Sequence, residues 1–110
     1  MIFITVKFKV RSEHRDSWLS RVGEFTEATR NEDGNLWFEW SRSVDDPDEF
    51  VLVEAFRDGP AGEAHVRSEH FKNGLETMRG ALAETPRIIN VEVPGTDWGR
   101  MGELEIPTGQ

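Results

Sequence analysis

The chain opens with a strict alternation of large apolar and smaller or polar positions. Residues 2–10 read IFITVKFKV, and Ile2, Ile4, Val6, Phe8 and Val10 share one parity. Successive side chains of a strand point to opposite faces, so this pattern predicts a strand whose apolar face is buried.

The spacing then becomes helical. Four residues that would share one face of a helix recur at intervals of four, three and four positions: Trp18, Val22, Phe25 and Thr29. This predicts an amphipathic helix of about five turns. Ser12 is its candidate N-cap, and Gly34 is expected to end the segment in the left-handed conformation.

Two further strands are predicted at residues 35–43 and 49–57. The acidic stretch between them, Asp45-Asp46-Pro47-Asp48, is typical of a tight turn whose side chains bond their own backbone. It lacks the alternating ligands and following glycine of a calcium loop, so we interpret it as a solvated hairpin turn.

A short helical segment follows Pro60 and reaches Val66. Ser68 is a new candidate N-cap, and a second long helix then has apolar residues at helical spacing, at Phe71, Leu75, Met78 and Leu82. Pro86 ends it, and residues 87–93 are the fourth predicted strand.

The order β-α-β-β-α-β predicts an α+β, ferredoxin-like fold with an antiparallel sheet. We assign residues 1–95 to this domain and residues 96–110 to a C-terminal tail that packs on a partner subunit through Trp98. Two helices cover only one face of four strands. We therefore expect the uncovered face, with either the Ile2 stripe or the Leu52/Glu54/Phe56 stripe, to meet a second subunit, a ligand or both. The simplest arrangement is a homodimer in which two sheets close face to face.

The composition of the chain limits the kinds of molecule that it is expected to bind. The net charge is −8, which disfavours nucleic acid and anionic membrane, and no apolar run approaches a membrane span. There is no cysteine, so disulfides and thiolate catalysis are excluded. No export signal is visible, and cytoplasm is the expected compartment.

His65 and His70 are the first candidates for proton transfer, because an unperturbed imidazole titrates near neutrality. On one uninterrupted helix they would lie about 140° apart. A helix break at Ser68 would let both face the sheet. The alternative is that His70 only occupies a first helical turn and His65 only packs on the sheet. The third histidine, His14, is predicted to be at the surface.

Glu54 is the third catalytic candidate. It lies mid-strand among apolar neighbours, where a carboxylate needs a partner or a raised pKa, and Arg42 on the neighbouring strand is the alternative structural partner. Trp37 and Trp40 must face opposite sides of their strand, so at most one lines a pocket. Asn35 is a candidate hydrogen-bond donor to a substrate oxygen, or simply a turn residue.

We predict no metal site and no cofactor. Besides the acidic turn, the two histidines and Glu69 are candidate ligands, but the HVRSEH spacing does not place two imidazoles on one face of a helix.

Three segments in this order resemble a known family. GNLWFEW at residues 34–40, FVLVEAFRD at 50–58 and AHVRSEHF at 64–71 are similar to the antibiotic biosynthesis monooxygenases, which are dimeric α+β barrels; the resemblance covers residues 2–93. The heme-degrading branch has an Asn, a Trp and a His where this chain has Val6, Phe56 and Leu75. The resemblance thus implies a branch that does not degrade heme.

The resemblance implies a cofactor-independent monooxygenase that uses dioxygen to oxidise a quinol, anthrone or related small aromatic molecule. His65 and His70 would move the proton, Glu54 would orient one of them or a water, and the pocket would be lined by Asn35, Trp37, Phe56 and Phe71. Two alternatives stay open. One is an isomerase of a small phosphorylated dione, for which Arg67 and Lys72 are weak candidate phosphate ligands; the other is a non-catalytic dimeric binder of small molecules.

Overall fold

The computed structural model describes residues 1–107 and contains one four-stranded antiparallel sheet. The strands are β1 (Ile2–Lys9), β2 (Asn35–Arg42), β3 (Glu49–Phe56) and β4 (Arg87–Glu92). The helices are α1 (Trp18–Arg21), α2 (Gly23–Arg30), α3 (Gly59–Val66) and α4 (Glu69–Arg79), with 3₁₀ turns at Ser12–Ser17 and Gly102–Leu104. The sheet order β2-β3-β1-β4 confirms the predicted ferredoxin-like fold. None of the helices formed by residues 1–107 is long and apolar enough to cross a bilayer.

The predicted five-turn first helix is wrong, because this segment consists of three short pieces. The backbone leaves helical geometry at Val22, with φ −95° and ψ 10°. Ser12 does not cap a helix; its hydroxyl donates to Asp48, which also pairs with Arg15 at 3.1 Å. The Ser12 hydrogen bond, supported by the Arg15 charge, holds the pKa of Asp48 below its usual value. The acidic turn at residues 45–48 therefore connects two strands and, through Asp48, also binds the start of the first helical segment.

Both apolar stripes of the central strands face the helices. Ile4 pairs with Glu54 and Val6 pairs with Leu52 in the β1–β3 register, and all four side chains are buried. The expectation that one of these stripes lies on the uncovered face is wrong. Residues that pair across β1 and β3 point to the same face of the sheet. The two stripes therefore lie side by side and form the floor of a single core.

A bulge fixes which side of β2 faces that core. The register against β3 shifts between Asn35 and Trp37, so Leu36 is an extra residue. Phe38 is consequently buried over the sheet, and the Trp40 indole N–H donates to Thr26 in α2 at 2.9 Å.

Trp37 faces the other side of the sheet, which no helix covers. There its ring packs against Trp98 with centroids 5.2 Å apart. This open face is largely apolar and includes Phe3, Val51, Val53, Ile89 and Val91. In this chain Trp98 thus contacts its own sheet, and the predicted contact of the tail with a partner stays a prediction. Residues 108–110 of that tail lie outside the described residues.

Gly34 is required for close approach and not for a left-handed backbone. Among residues 1–107, Gly95 is the glycine with positive φ, at 82°. A Cβ built on Gly34 would overlap the methyl group of Ala61 in α3. The prediction of a left-handed Gly34 is therefore wrong. Its missing side chain lets the turn before β2 lie directly against α3.

Candidate functional site

The predicted break between the two histidines is present. His65 lies in the last turn of α3 and His70 in the first turn of α4. Ser68 is the N-cap of α4: its side chain accepts from the Phe71 N–H at 3.1 Å and donates to the His65 carbonyl at 2.7 Å. The chain changes direction at this cap, so the 140° separation expected on one helix does not apply.

The two imidazoles converge on Glu32. The oxygen Glu32 Oε2 lies 2.7 Å from His65 Nδ1 and also bonds His70 Nε2. Glu32 is in the turn between α2 and β2, which reaches α3 because Gly34 packs on Ala61. Glu32 was not among the predicted site residues, because residues 31–34 were interpreted only as the end of a helix. No local pattern marks it, because its partners lie 33 and 38 positions away.

Glu54 approaches the same cluster from the sheet. Glu54 is 6% exposed, its Oε1 has no hydrogen-bond partner within residues 1–107, and that oxygen lies 4.0 Å from His65 Nε2. Burial, together with the negative charge of Glu32, raises the pKa of Glu54 to about 7. An unpaired buried carboxyl oxygen costs on the order of 1–3 kcal/mol, which is the kind of local cost that functional sites retain.

Arg42 does not pair with Glu54, so that alternative is wrong. The Arg42 guanidinium donates to the Pro47 carbonyl at 2.9 Å, at the hairpin end of the sheet.

His65 has one nitrogen toward each carboxyl group. Burial lowers the pKa of His65 and outweighs the hydrogen bond to Glu32, which acts in the opposite direction. In the neutral ring, Nδ1–H donates to Glu32, and the lone pair of Nε2 is then directed at Glu54. The His65 nitrogen closest to Glu54 is thus a proton acceptor, and the other nitrogen of the ring is hydrogen-bonded to the Glu32 carboxylate.

Aromatic rings surround His65. The predicted lining residues Phe56 and Phe71 lie with ring centroids 4.7 and 5.1 Å from the imidazole, and Phe25 adds a third ring at 5.8 Å. Phe25 was not a candidate site residue, although its helical spacing marked it as core.

The other two predicted lining residues do not join this cluster. Trp37 lies on the opposite face of the sheet because of the bulge. Asn35 donates its side-chain amide to the carbonyls of Trp37 and Ala55, at 3.1 and 3.3 Å, so both donors serve the backbone of the bulge. The prediction that Trp37 and Asn35 line the pocket is therefore wrong for this chain.

His65 separates two clefts. One, of 380 Å³, lies between α3 and strands β1 and β4, and its walls include Ile2, Ile4, Phe56, His65, Val66 and Asn90. The other, of 330 Å³, opens on the far side of α3, and its walls include Glu32, Gly34, Arg57, Ala61, Ser68 and His70. The first has the volume and apolar lining expected of a small-molecule site, and Glu54 is the register partner of Ile4 in its floor.

A third cleft, also of 380 Å³, lies near the start of β4 and is lined by Phe8, Leu75, Met78 and Leu82. Its ionisable residues, Arg79 and Glu84, are exposed. The candidate site is therefore the cluster at His65, where buried ionisable groups and a cleft coincide.

The two candidate phosphate ligands do not converge on either His65 cleft. Arg67 does not line either cleft and pairs at 2.7 Å with Glu63, a residue in the wall of the first, and Lys72 is exposed on α4.

Comparison with known proteins gives a consistent result. The family model described as "Antibiotic biosynthesis monooxygenase" matches residues 1–77. The Bacillus subtilis protein named "Putative monooxygenase YcnE" is 25% identical over 93 residues, which span 84% of this chain and 98% of that protein.

Two solved structures share the fold. "Putative antibiotic biosynthesis monooxygenase from Nitrosomonas europaea" has a TM-score of 0.79 at 24% identity and covers 86% of this chain and all of its own. "Structure of Rv0793 from Mycobacterium tuberculosis" has a TM-score of 0.77 at 22% identity and covers 86% of this chain and 95% of its own.

Proposed function

Because this chain belongs to the antibiotic biosynthesis monooxygenase family, we propose that it is a monooxygenase of an electron-rich aromatic small molecule. The substrate class is a quinol or anthrone, the oxidant is dioxygen, and the protein supplies proton transfer without a metal, heme or flavin. The observation that supports this most directly is the buried Glu54 carboxyl, whose Oε1 has no hydrogen-bond partner among the described residues and lies 4.0 Å from Nε2 of His65. His65 in turn lines the apolar cleft between α3 and the sheet.

The separation of these two atoms suits a bridging substrate hydroxyl. At 4.0 Å they are too far apart for a direct hydrogen bond. An oxygen atom placed beside them can lie about 2.8 Å from both at once. A phenolic or enolic hydroxyl entering the apolar cleft would thus contact the acceptor lone pair of His65 and the carboxyl of Glu54 together.

The residues then have separate roles. His65 Nε2 accepts the hydroxyl proton, and Glu32 stabilises the resulting imidazolium through Nδ1–H. Glu54 holds the substrate oxygen. His70, which is 28% exposed and bonded to the same Glu32 oxygen, connects the cluster to solvent, where the proton leaves.

The reaction balances without another reductant. In an anthrone, the deprotonated substrate transfers electrons to dioxygen, one oxygen atom forms the new carbonyl at the former CH₂ carbon, and the other leaves as water. The substrate supplies all four electrons, and both hydrogens of the CH₂ group end in that water. The protein's task is therefore to form the anion in a dry, aromatic-lined cleft.

We also propose a homodimer in which two open sheet faces meet. The open face of one chain leaves Ile89 67% and Val91 42% exposed, next to the partly buried Phe3 and Val53. A contiguous apolar face of this kind is stabilised by a second copy.

Oxygen uptake tests the reaction. Chelator-treated protein is assayed with a panel of hydroquinones and anthrones, beside His65→Gln and the matched control His14→Ala, a histidine on the 3₁₀ turn that contacts Arg21. We expect uptake above the uncatalysed rate, one ¹⁸O atom from ¹⁸O₂ in the product, and a loss of roughly 10²-fold or more in kcat for His65→Gln only.

Absence of uptake across the panel, with the wild-type protein folded, would overturn the proposal and favour the isomerase or the passive binder. Equal rates for folded His65→Gln and wild type would also overturn the assignment of the site.

A further inference from the structure

Three side chains of the cluster present ligand atoms to a common point. Glu32 Oε2, His65 Nδ1 and His70 Nε2 all lie within 4.8 Å of one another. Two imidazole nitrogens and one carboxylate oxygen form a donor set that suits Zn²⁺, Co²⁺ or Fe²⁺, whereas Mg²⁺ and Ca²⁺ prefer oxygen ligands.

The scaffold fixes these side chains independently of any ligand. His65 and His70 flank the Ser68 cap, which bonds both helices, and Glu32 is held against α3 by the Gly34–Ala61 contact. The three ligands therefore come from the last turn of α3, the first turn of α4 and the turn before β2, and the set is preorganised before binding.

We propose that Glu32, His65 and His70 form a binding site for one divalent transition-metal ion. This inference goes beyond the proposed oxygenation and does not depend on it. It replaces the sequence-based expectation of no metal site, which considered Glu69 and a single continuous helix; Glu69 is exposed and Glu32 takes its place.

The geometry needs only a small adjustment. Ligand atoms at about 2.1 Å from a tetrahedral ion lie about 3.4 Å from each other. His65 Nδ1 is now 2.7 Å from Glu32 Oε2, and His70 Nε2 is closer still to the same oxygen. The carboxylate must therefore retreat from both rings, by about 1 Å. The Glu32 side chain lines the 330 Å³ cleft, which has room for this movement and for a water as fourth ligand.

A metal ion would reverse the hydrogen-bonding role of His65. With the metal on Nδ1, the ring proton moves to Nε2, which faces Glu54 Oε1 across 4.0 Å. A carboxylate on the far side of a metal-bound histidine is a common outer partner, and at this distance one water would bridge the two groups. Because this tautomer has no lone pair at Nε2, an ion in this site would inhibit the proposed proton abstraction.

Titration of the metal-free protein tests the inference. Chelator-stripped protein is titrated with Co²⁺ while the visible absorption is recorded, and with Zn²⁺ and Mg²⁺ by calorimetry. We expect one Co²⁺ or Zn²⁺ per chain, absorption bands characteristic of imidazole-bound Co²⁺, and at least about tenfold weaker binding of Mg²⁺.

Variants locate the ion. Even outer-shell partners affect metal affinity by 10–100-fold, so we expect His70→Ala and Glu32→Gln each to weaken Co²⁺ binding by about 100-fold or more. Glu32→Gln nearly preserves side-chain shape and keeps the test valid if His70→Ala unfolds. His14→Ala is the control and should bind like wild type.

Co²⁺ binding that is equally strong in wild type and Glu32→Gln would overturn the proposal. So would the absence of saturable binding at millimolar Co²⁺. These readouts do not require turnover, so they are unaffected by the outcome of the oxygenase assay.

Discussion

The contact between Gly34 and Ala61 determines where Glu32 meets the histidines, and one substitution tests it. In Gly34→Ala the new Cβ would overlap the Ala61 methyl and lie 3.4 Å from the Ala61 Cα. The obstacle includes the backbone of α3, so no rotamer change relieves it. We expect a loss of about 1–3 kcal/mol in the free energy of unfolding, as for other overpacked core sites.

Ala61→Gly supplies the complementary change. Alone it removes a buried methyl and places a glycine in a helix, at a cost of about 1–2 kcal/mol. In the double variant, residue 34 carries the methyl group that residue 61 has lost, so the same contact again contains one methyl group. We therefore expect the pair to lose about 1–2 kcal/mol in total, where independent effects would add to about 2–5 kcal/mol.

Urea denaturation of the four proteins, followed by tryptophan fluorescence and circular dichroism, measures this coupling. Equal m-values would show that the same transition is compared. If the double variant loses as much as the two single variants together, the reasoning is refuted, because Gly34 would then be needed for its backbone conformation and not for the space beside Ala61.

Three further outcomes are expected. Ser68→Ala removes the α4 cap and should lower the free energy of unfolding by about 1 kcal/mol in urea denaturation, whereas Ser20→Ala, at an exposed position of α1, should change it less; equal losses would contradict the capping role. In metal-stripped protein, burial raises the pKa of Glu54 from 4.5 to about 7, so the folded state holds this proton more tightly and stability falls as pH rises between those values. Relative to wild type, Glu54→Gln should thus be about 3 kcal/mol more stabilising at pH 8 than at pH 4.5, with the exposed Glu13→Gln as control, and an effect independent of pH would disprove this. Ile89→Lys changes a side chain that is 67% exposed in one chain, so the fold should tolerate it while light scattering shows monomers; a persistent dimer would exclude the open face as the interface.

Most of the fold was accessible from the sequence because its signals are local. The alternation in residues 2–10 defines β1, and the serine before α4 was identified as its cap from sequence and caps it in the structure. In the first helical segment, the Ser12 hydroxyl is directed at Asp48, which is far away in sequence, and the N-terminus of the segment has no side-chain cap hydrogen bond. Helical spacing of large side chains reports which face is buried and does not show where the hydrogen-bond ladder is interrupted.

Only part of the site could be predicted from the sequence, again because sequence signals are local. His65, His70 and Glu54 stood out by residue type and context. Glu32 did not, since its role depends on a turn that packs against a helix about 30 residues later. The face of Trp37 was likewise unreadable, because a single extra residue in β2 decides it.

That extra residue, Leu36, also affects how β2 can be compared with other sequences. Strand parity is preserved only while residues are counted without insertion, so the bulge exchanges the two faces for every position on one side of it. An ungapped alignment with a relative whose strand is regular here would match inward-facing positions of one protein with outward-facing positions of the other. Residue-by-residue transfer of site assignments across β2 therefore requires a one-residue gap at position 36, placed by structure and not by similarity of side chains.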